Sequence, residues 1–200
     1  RTPLSAILLS GKMLRAGLGG ERERALAVNA IVRGAEAQRK LIEDLLDVSR
    51  MVSGTLRLDL RSIDAATATR AAADTLLPLA EAKGVRLEVR GCDVPLPVRG
   101  DADRLQQIVW NLASNALKFT PSGGAVTLEA TSSGGQAQIL VRDTGRGIAP
   151  EFLPLVFERF RQQDGSTARV HGGLGLGLAI VRELVELHGG AVRAESAGLG

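Results

Sequence analysis

The chain has 200 residues, 44% hydrophobic and 24% charged, proportions that allow a sizeable buried core in one or two domains. One Trp, four Phe and no Tyr leave that core to Leu, Val, Ile and Ala. The net charge of +3 is dispersed, as in Glu21-Arg22-Glu23-Arg24, so the clustered basic stripe of a nucleic-acid binder is missing.

The lone Cys92 excludes a disulfide framework and a cysteine metal site, which fits a reducing, cytoplasmic setting. No run approaches the roughly 18 apolar residues of a membrane span. Membrane contact is therefore expected only through segments outside this chain.

In chain order, Leu4, Ile7, Leu8, Gly11, Leu14 and Leu18 share one face of an amphipathic helix, with Pro3 tolerable in its first turn. "AGLGG" at 16–20 ends it. A second helical pattern runs from about Glu21 to Met51 through Ala25, Val28, Ile31, Val32, Ala35, Leu41, Ile42, Leu45 and Val48, and stops at Ser53-Gly54. Two long helices across a short turn form a hairpin that cannot bury both faces alone. Pairing with a second copy into a dimeric four-helix bundle is the expected solution.

After Gly54 the period changes. "TLRLDL" (55–60) alternates and predicts a strand; a helix follows from Asp64, a suitable N-cap, to Lys83, closed by Gly84. "VRLEVR" (85–90) predicts another strand, and "RGD" at 99–101 leads into a helix from about Ala102 to Phe119. "AVTLEA" (125–130) and "QAQILVRD" (136–143) read as a hairpin of strands. An irregular glycine-containing stretch, 144–174, precedes a closing helix through Leu178, Ile180, Val181, Leu184 and Leu187. "AVRAES" (191–196) predicts a last strand. The expected class is α+β: a helical hairpin over 1–53, then an α/β sandwich of mixed strand order over 55–200.

Three stretches carry candidate chemistry. In "DRLQQIVWNLASNALKFT" (103–120), Asn111, Asn115 and Lys118 stand at i, i+4 and i+7 on one helix face, while Leu105, Ile108, Leu112 and Ala116 form an apolar one. That polar face can be solvated surface. It can equally offer an amide oxygen to Mg²⁺ and an ammonium to phosphate. In "VRDTGRGIAP" (141–150), Asp143 ends a strand and Gly145 and Gly147 follow. Asp-x-Gly is ordinary turn chemistry, but the same carboxylate could accept a hydrogen bond from a ligand amine while the glycines let backbone come close.

In "HGGLGLGLAIVRELVELHGG" (171–190), four glycines between Gly172 and Gly177 crowd a helix start, although glycine costs about 1 kcal/mol per residue inside a helix. Free N–H groups and the positive helix end there suit an anion. The spacing matches neither a P-loop nor a dinucleotide fingerprint.

The order of these three, with "FERF" (157–160) between the last two, resembles the ATP-binding catalytic domain of sensor histidine kinases, whose segments are called the N, G1, F and G2 boxes. "RTPL" (1–4) and "LIEDLLDVSR" (41–50) resemble that family's dimerisation and histidine-phosphotransfer hairpin. The resemblance covers essentially the whole chain and implies a two-layer α/β sandwich of Bergerat type over 55–200.

The resemblance further implies that Asp143 accepts a hydrogen bond from the adenine amino group. It makes Asn115 a Mg²⁺ ligand supported by Asn111, and sets Lys118 near the phosphates and Gly145 and Gly147 on the nucleotide floor. A lid would run from about Gly147 to Gly172, held down by Phe157 and Phe160. Backbone of Gly173, Leu174, Gly175, Leu176 and Gly177 would reach the phosphates. ATP and Mg²⁺ are the implied cofactors; a response-regulator receiver and a second copy, joined through 1–53, are the implied partners.

The phosphoacceptor histidine is expected just upstream of Arg1, so the chain as given should bind ATP without phosphorylating itself; neither His171 nor His188 holds that place. Thr2 is a candidate for orienting water in dephosphorylating the receiver, and a further strand is expected beyond Gly200. The alternative reading is a nucleotide-binding regulatory scaffold without kinase turnover.

Overall fold

The computed structural model describes residues 2–163 and 174–199. Helices α1 (Thr2–Arg15) and α2 (Glu21–Val52) form the hairpin. They pack closely because position 34 carries no side chain: a Cβ on Gly34 would lie 2.7 Å from Ile7 Cγ1 and 3.0 Å from the Pro3 carbonyl. Leu8, Leu9, Leu26 and Leu46 remain exposed on this hairpin.

Strand β1 (Arg61–Asp64) pairs antiparallel with β3 (Pro97–Gly100), with α3 (Ala65–Lys83) and β2 (Arg86–Arg90) between them in sequence. Helix α4 (Ala102–Phe119) leads to β4 (Ala125–Ser133) and β5 (Gln136–Asp143); β4 lies between β2, parallel to it, and β5, antiparallel. A single 3₁₀ turn, Leu153–Leu155, precedes α5 (Gly177–Leu187).

Local chemistry accounts for both central helix starts. Asp64 caps α3 by accepting from Ala66 N, and the same oxygen accepts from Leu96 N at 2.7 Å. Asp101 caps α4 through Arg104 N while its other oxygen accepts from Asp59 N at 3.0 Å. Each cap satisfies an orphan helix donor and also pins a segment distant in sequence.

The sheet forms one layer and α3 and α4 the other. Along β4 every second residue, Val126, Leu128 and Ala130, is buried. They meet Leu76 of α3 and Val109, Ala113 and Leu117 of α4 in the main core. Each large apolar side chain so enclosed contributes about 1.5–3 kcal/mol. A second core joins Met51 at the end of α2 to Ile108 of α4 and to Leu176, Ile180, Val181 and Leu184. The hairpin thus ends inside the packing that seats α5. Among the described residues no helix is long and apolar enough to cross a membrane.

Two expectations fail in the same way. Residues 55–60 are not a strand; the ladder begins at Arg61, and its partner β3 was not anticipated. Residues 191–196 are not a strand either, although exposed and half-buried residues alternate through them. Alternation reports one-sided burial, and an extended segment reaches that without a ladder partner: Leu56, Leu58 and Val192 all pack against the second core.

Candidate functional site

Three elements converge. The first is the C-terminal half of α4. Asn111 is 3% exposed, and among the described residues its amide Nδ2 has no hydrogen-bond partner. A buried orphan donor costs roughly 1–3 kcal/mol, so its retention asks for a role. The Asn111 carboxamide faces the start of α5: a Cβ on Gly177 would stand 3.7 Å from Asn111 Oδ1. One turn on, Asn115 and Lys118 are half-buried. The Lys118 ammonium lies 4.9 Å from the centre of the Phe119 ring, and the Arg146 guanidinium 4.7 Å from it. Burial holds the Lys118 pKa below its ordinary value, and the nearby Arg146 charge lowers it further. Two cations sharing one ring form a place where an added anion is favoured.

The second element is the loop after β5. Asp143 is exposed, and its Oδ1 accepts from Gly145 N at 2.9 Å. The Asp-x-Gly turn therefore forms, and the carboxylate stands open at the strand end. Thr144 fastens the loop to β4: Ala125 N donates to Thr144 Oγ1 at 2.9 Å and Thr144 N to Ala125 O at 3.0 Å. Gly145 is there because backbone passes close by, its missing Cβ being 2.8 Å from Phe119 O. Gly147 has φ +71°, and a side chain would collide with the Gly198 carbonyl. The C-terminal segment thus lies against this loop, with Ile148 N donating to Ser196 Oγ at 2.9 Å.

The third element is the start of α5. Leu176 is 1% exposed and anchors it, while Leu174 is partly exposed. Among the described residues, its first N–H groups and positive dipole end have no capping side chain. Gly175, at φ +69°, accepts from Phe160 N at 2.9 Å, and its absent Cβ would be 2.6 Å from Arg161 O.

Of the two expected lid aromatics, Phe157 is half-buried against the outer face of α5, where it lines a shallow groove of about 450 Å³ with Ala179, Arg182 and Glu183. Phe160 is 61% exposed and holds φ +63°, a strained conformation for a bulky residue. The first half of the expected lid is anchored through buried Ala149 and Val156. Gly173, His171 and the Thr2 side chain lie outside the described residues.

The structure therefore brings Asn111 to Gly177 and Phe119 to Gly145, so that α4 touches both of the other segments. Sequence reading missed the Phe119–Arg146 stack. Its only signal was an arginine set between the two glycines of the loop, where charge has no turn-forming purpose.

The fit of a divalent cation follows from the donors. Among the described residues no three His, Cys, Asp or Glu side chains gather into a metal site. A cation here would rely on amide oxygen and on its ligand's own oxygens, the chemistry of Mg²⁺ with a polyphosphate. The residues fit.

Comparison with known proteins agrees with this geometry. Residues 100–200 match the family of histidine kinase-, DNA gyrase B- and HSP90-like ATPases. Residues 1–54 match the His Kinase A (phospho-acceptor) domain. The chain belongs to the sensor histidine kinases. It is 40% identical over 200 residues to histidine protein kinase DivJ of Caulobacter vibrioides, covering 98% of this chain and 33% of that protein. It is 36% identical over 205 residues to hybrid signal transduction histidine kinase D of Dictyostelium discoideum, covering 100% of this chain and 13% of that protein.

The chain thus spans a third or less of the length of these two relatives. Among solved structures, full-length ShkA in complex with AMPPNP superposes with a TM-score of 0.72 at 34% identity, covering 100% of this chain and 42% of that one.

Proposed function

We propose that this chain is the catalytic core of a two-component sensor histidine kinase. It would bind Mg-ATP, pass the γ-phosphoryl group to a histidine nitrogen just upstream of Arg1 with ADP leaving, and pass it on to an aspartate of a response-regulator receiver. The observation that carries this is the buried Asn111 amide, whose Nδ2 has no partner among the described residues, facing a start of α5 that no described side chain caps. A polyphosphate at that junction would meet both.

In this reading Asp143 accepts from the adenine amino group, whereas guanine would present an acceptor to it. Gly145 and Gly147 keep the loop backbone free of side chains beside the base. Asn115, with Asn111 behind it, would hold Mg²⁺, which neutralises charge on the transferring phosphoryl group. Lys118 meets the phosphates as a point charge, and backbone N–H groups from Gly173 to Gly177 receive their oxygens. Phe157 and Phe160 would hold down the lid, from about Gly147 to Gly172, over the nucleotide.

Residues 1–53 would serve as the phosphotransfer and dimerisation hairpin, and 55–200 as the ATP-binding domain. Exposed Leu8, Leu9, Leu26 and Leu46 support a second copy as the hairpin's partner. Thr2 remains the residue proposed to orient water for dephosphorylating the receiver.

Calorimetric titration with Mg²⁺ and a non-hydrolysable ATP analogue, beside Asp143→Asn, tests the reading. Binding by the parent chain that weakens sharply in the variant supports it. A folded parent chain that binds no nucleotide overturns it and leaves a scaffold.

A further inference from the structure

We propose that Lys83 is a positioning residue for the phosphate end of the site: reaching across from α3, it holds the last turn of α4, from which Lys118 projects. The inference rests on the nucleotide reading above and adds to it a residue outside the four sequence boxes.

The last four carbonyls of an α-helix have no partner within the helix. In α4 these belong to Ala116, Leu117, Lys118 and Phe119, and each is satisfied from elsewhere. Ala116 O accepts from Thr120 N and from Thr120 Oγ1. Phe119 O accepts from Arg146 N at 3.3 Å. The two between them, Leu117 O and Lys118 O, both accept from Lys83 Nζ, at 2.6 and 2.7 Å.

An ammonium suits this place. It carries three donors on one atom, and its charge complements the negative end of α4. Partial burial lowers the Lys83 pKa from its ordinary value.

The placement is built in. Lys83 is the last residue of α3, and Gly84 then turns the chain against the loop that follows α4. Gly84 O accepts from Gly123 N at 2.8 Å, and a Cβ on Gly84 would lie 2.6 Å from Ser122 Oγ. These contacts keep the Lys83 backbone beside the end of α4, within reach of its last carbonyls.

The adenine side of the site touches α4 through the Arg146 N bond to Phe119 O but has further anchors of its own, Thr144 with Ala125 and Asp143 with Gly145. Loss of Lys83 would consequently tilt Lys118 and the phosphate contacts while leaving the base contacts in place. A residue that merely stabilised the fold would weaken both alike.

The experiment compares Lys83→Met, Lys83→Gln and Lys83→Arg with the parent chain, titrating each with Mg-AMPPNP and, separately, with adenosine. Removing a charge-assisted pair of hydrogen bonds in Lys83→Met is expected to weaken AMPPNP about tenfold while adenosine stays within about twofold. Arginine, with two donors able to reach both carbonyls, restores most of the loss; Gln, with a neutral donor, falls between. Parallel loss of both probes, no loss at all, or failure of Arg to recover AMPPNP affinity overturns the proposal. Should Lys83→Met not fold, the Gln and Arg variants carry the same comparison, and a Gln variant indistinguishable from the parent chain overturns it. A folded parent chain that binds neither probe defeats the nucleotide reading and this inference together. One that binds both, with variants unchanged, defeats this inference alone.

Discussion

Arg104 of α4 and Asp47 of α2 lock the helical hairpin to the nucleotide-binding half: Arg104 Nη1 donates to the two carboxylate oxygens at 3.0 and 2.8 Å, and Gln107 Nε2 adds a third bond at 2.7 Å. Asp47 is only 6% exposed. One turn away on α2, Lys40 pairs with Asp44 at 2.9 Å and stacks over Trp110 of α4. The helix that carries Asn111, Asn115 and Lys118 toward one end is thus clamped to the hairpin at the other.

Breaking that clamp from one side strands a buried carboxylate, which typically costs about 3 kcal/mol or more. Arg104→Met should therefore lower stability against denaturant by about 2–3 kcal/mol, because Gln107 keeps one bond to Asp47. Removing both charges with Asp47→Leu and Arg104→Met together should recover much of the loss. Urea unfolding of the two single variants and the double variant gives the coupling directly.

Asp143→Asn isolates ligand recognition from folding. Asparagine keeps an oxygen to accept from Gly145 N, and the residue is exposed, so thermal stability should change little. With Asp143 in its proposed role, affinity for an ATP analogue should nevertheless fall about tenfold or more, since a charged acceptor is lost. A melting curve and a calorimetric titration of the same sample separate the two effects.

Lys118 gives the site a pH signature. Its pKa is lowered in the fold by burial first and by Arg146 second, so the unfolded chain holds its proton more tightly. The nucleotide-free chain therefore carries a penalty while Lys118 is charged, relieved as pH rises through the lowered pKa toward the ordinary lysine value. A bound phosphate reverses the sign: it favours the charged amine, so affinity should decline as pH rises through that same window, with proton uptake on binding. Titrations from neutral to alkaline pH in buffers of different ionisation enthalpy measure this, and Lys118→Met should flatten the profile.

Gly175→Ala should be costly. A left-handed φ disfavours any side chain, and the new Cβ would meet the Arg161 carbonyl, which is backbone and cannot swing aside. A loss of about 1–3 kcal/mol is expected, together with weakened phosphate binding, because the same segment leads into α5. Differential scanning calorimetry reads the first, analogue titration the second.

What was legible in the amino-acid order was whatever local chemistry decides. The Asp64 cap, the Gly84 stop, α4 from Ala102 to Phe119 and the period-two burial of β4 each depend on neighbours a few positions away. The stretches proposed to bind ligand stood out in the sequence as well, because glycines at a helix start and asparagines on a helix face carry a local cost that asks for a reason.

Tertiary structure alone decided the rest. Leu56, Leu58 and Leu60 alternate as a strand would, yet whether an extended segment joins a ladder depends on a partner elsewhere, and the partner met Arg61–Asp64 instead. Asp47 finds Arg104 across 57 positions, and Lys83 finds the Leu117 carbonyl across 34. Such contacts leave no trace in the order of residues. A charged side chain reads identically whether water or a helix end surrounds it, and only packing determines which.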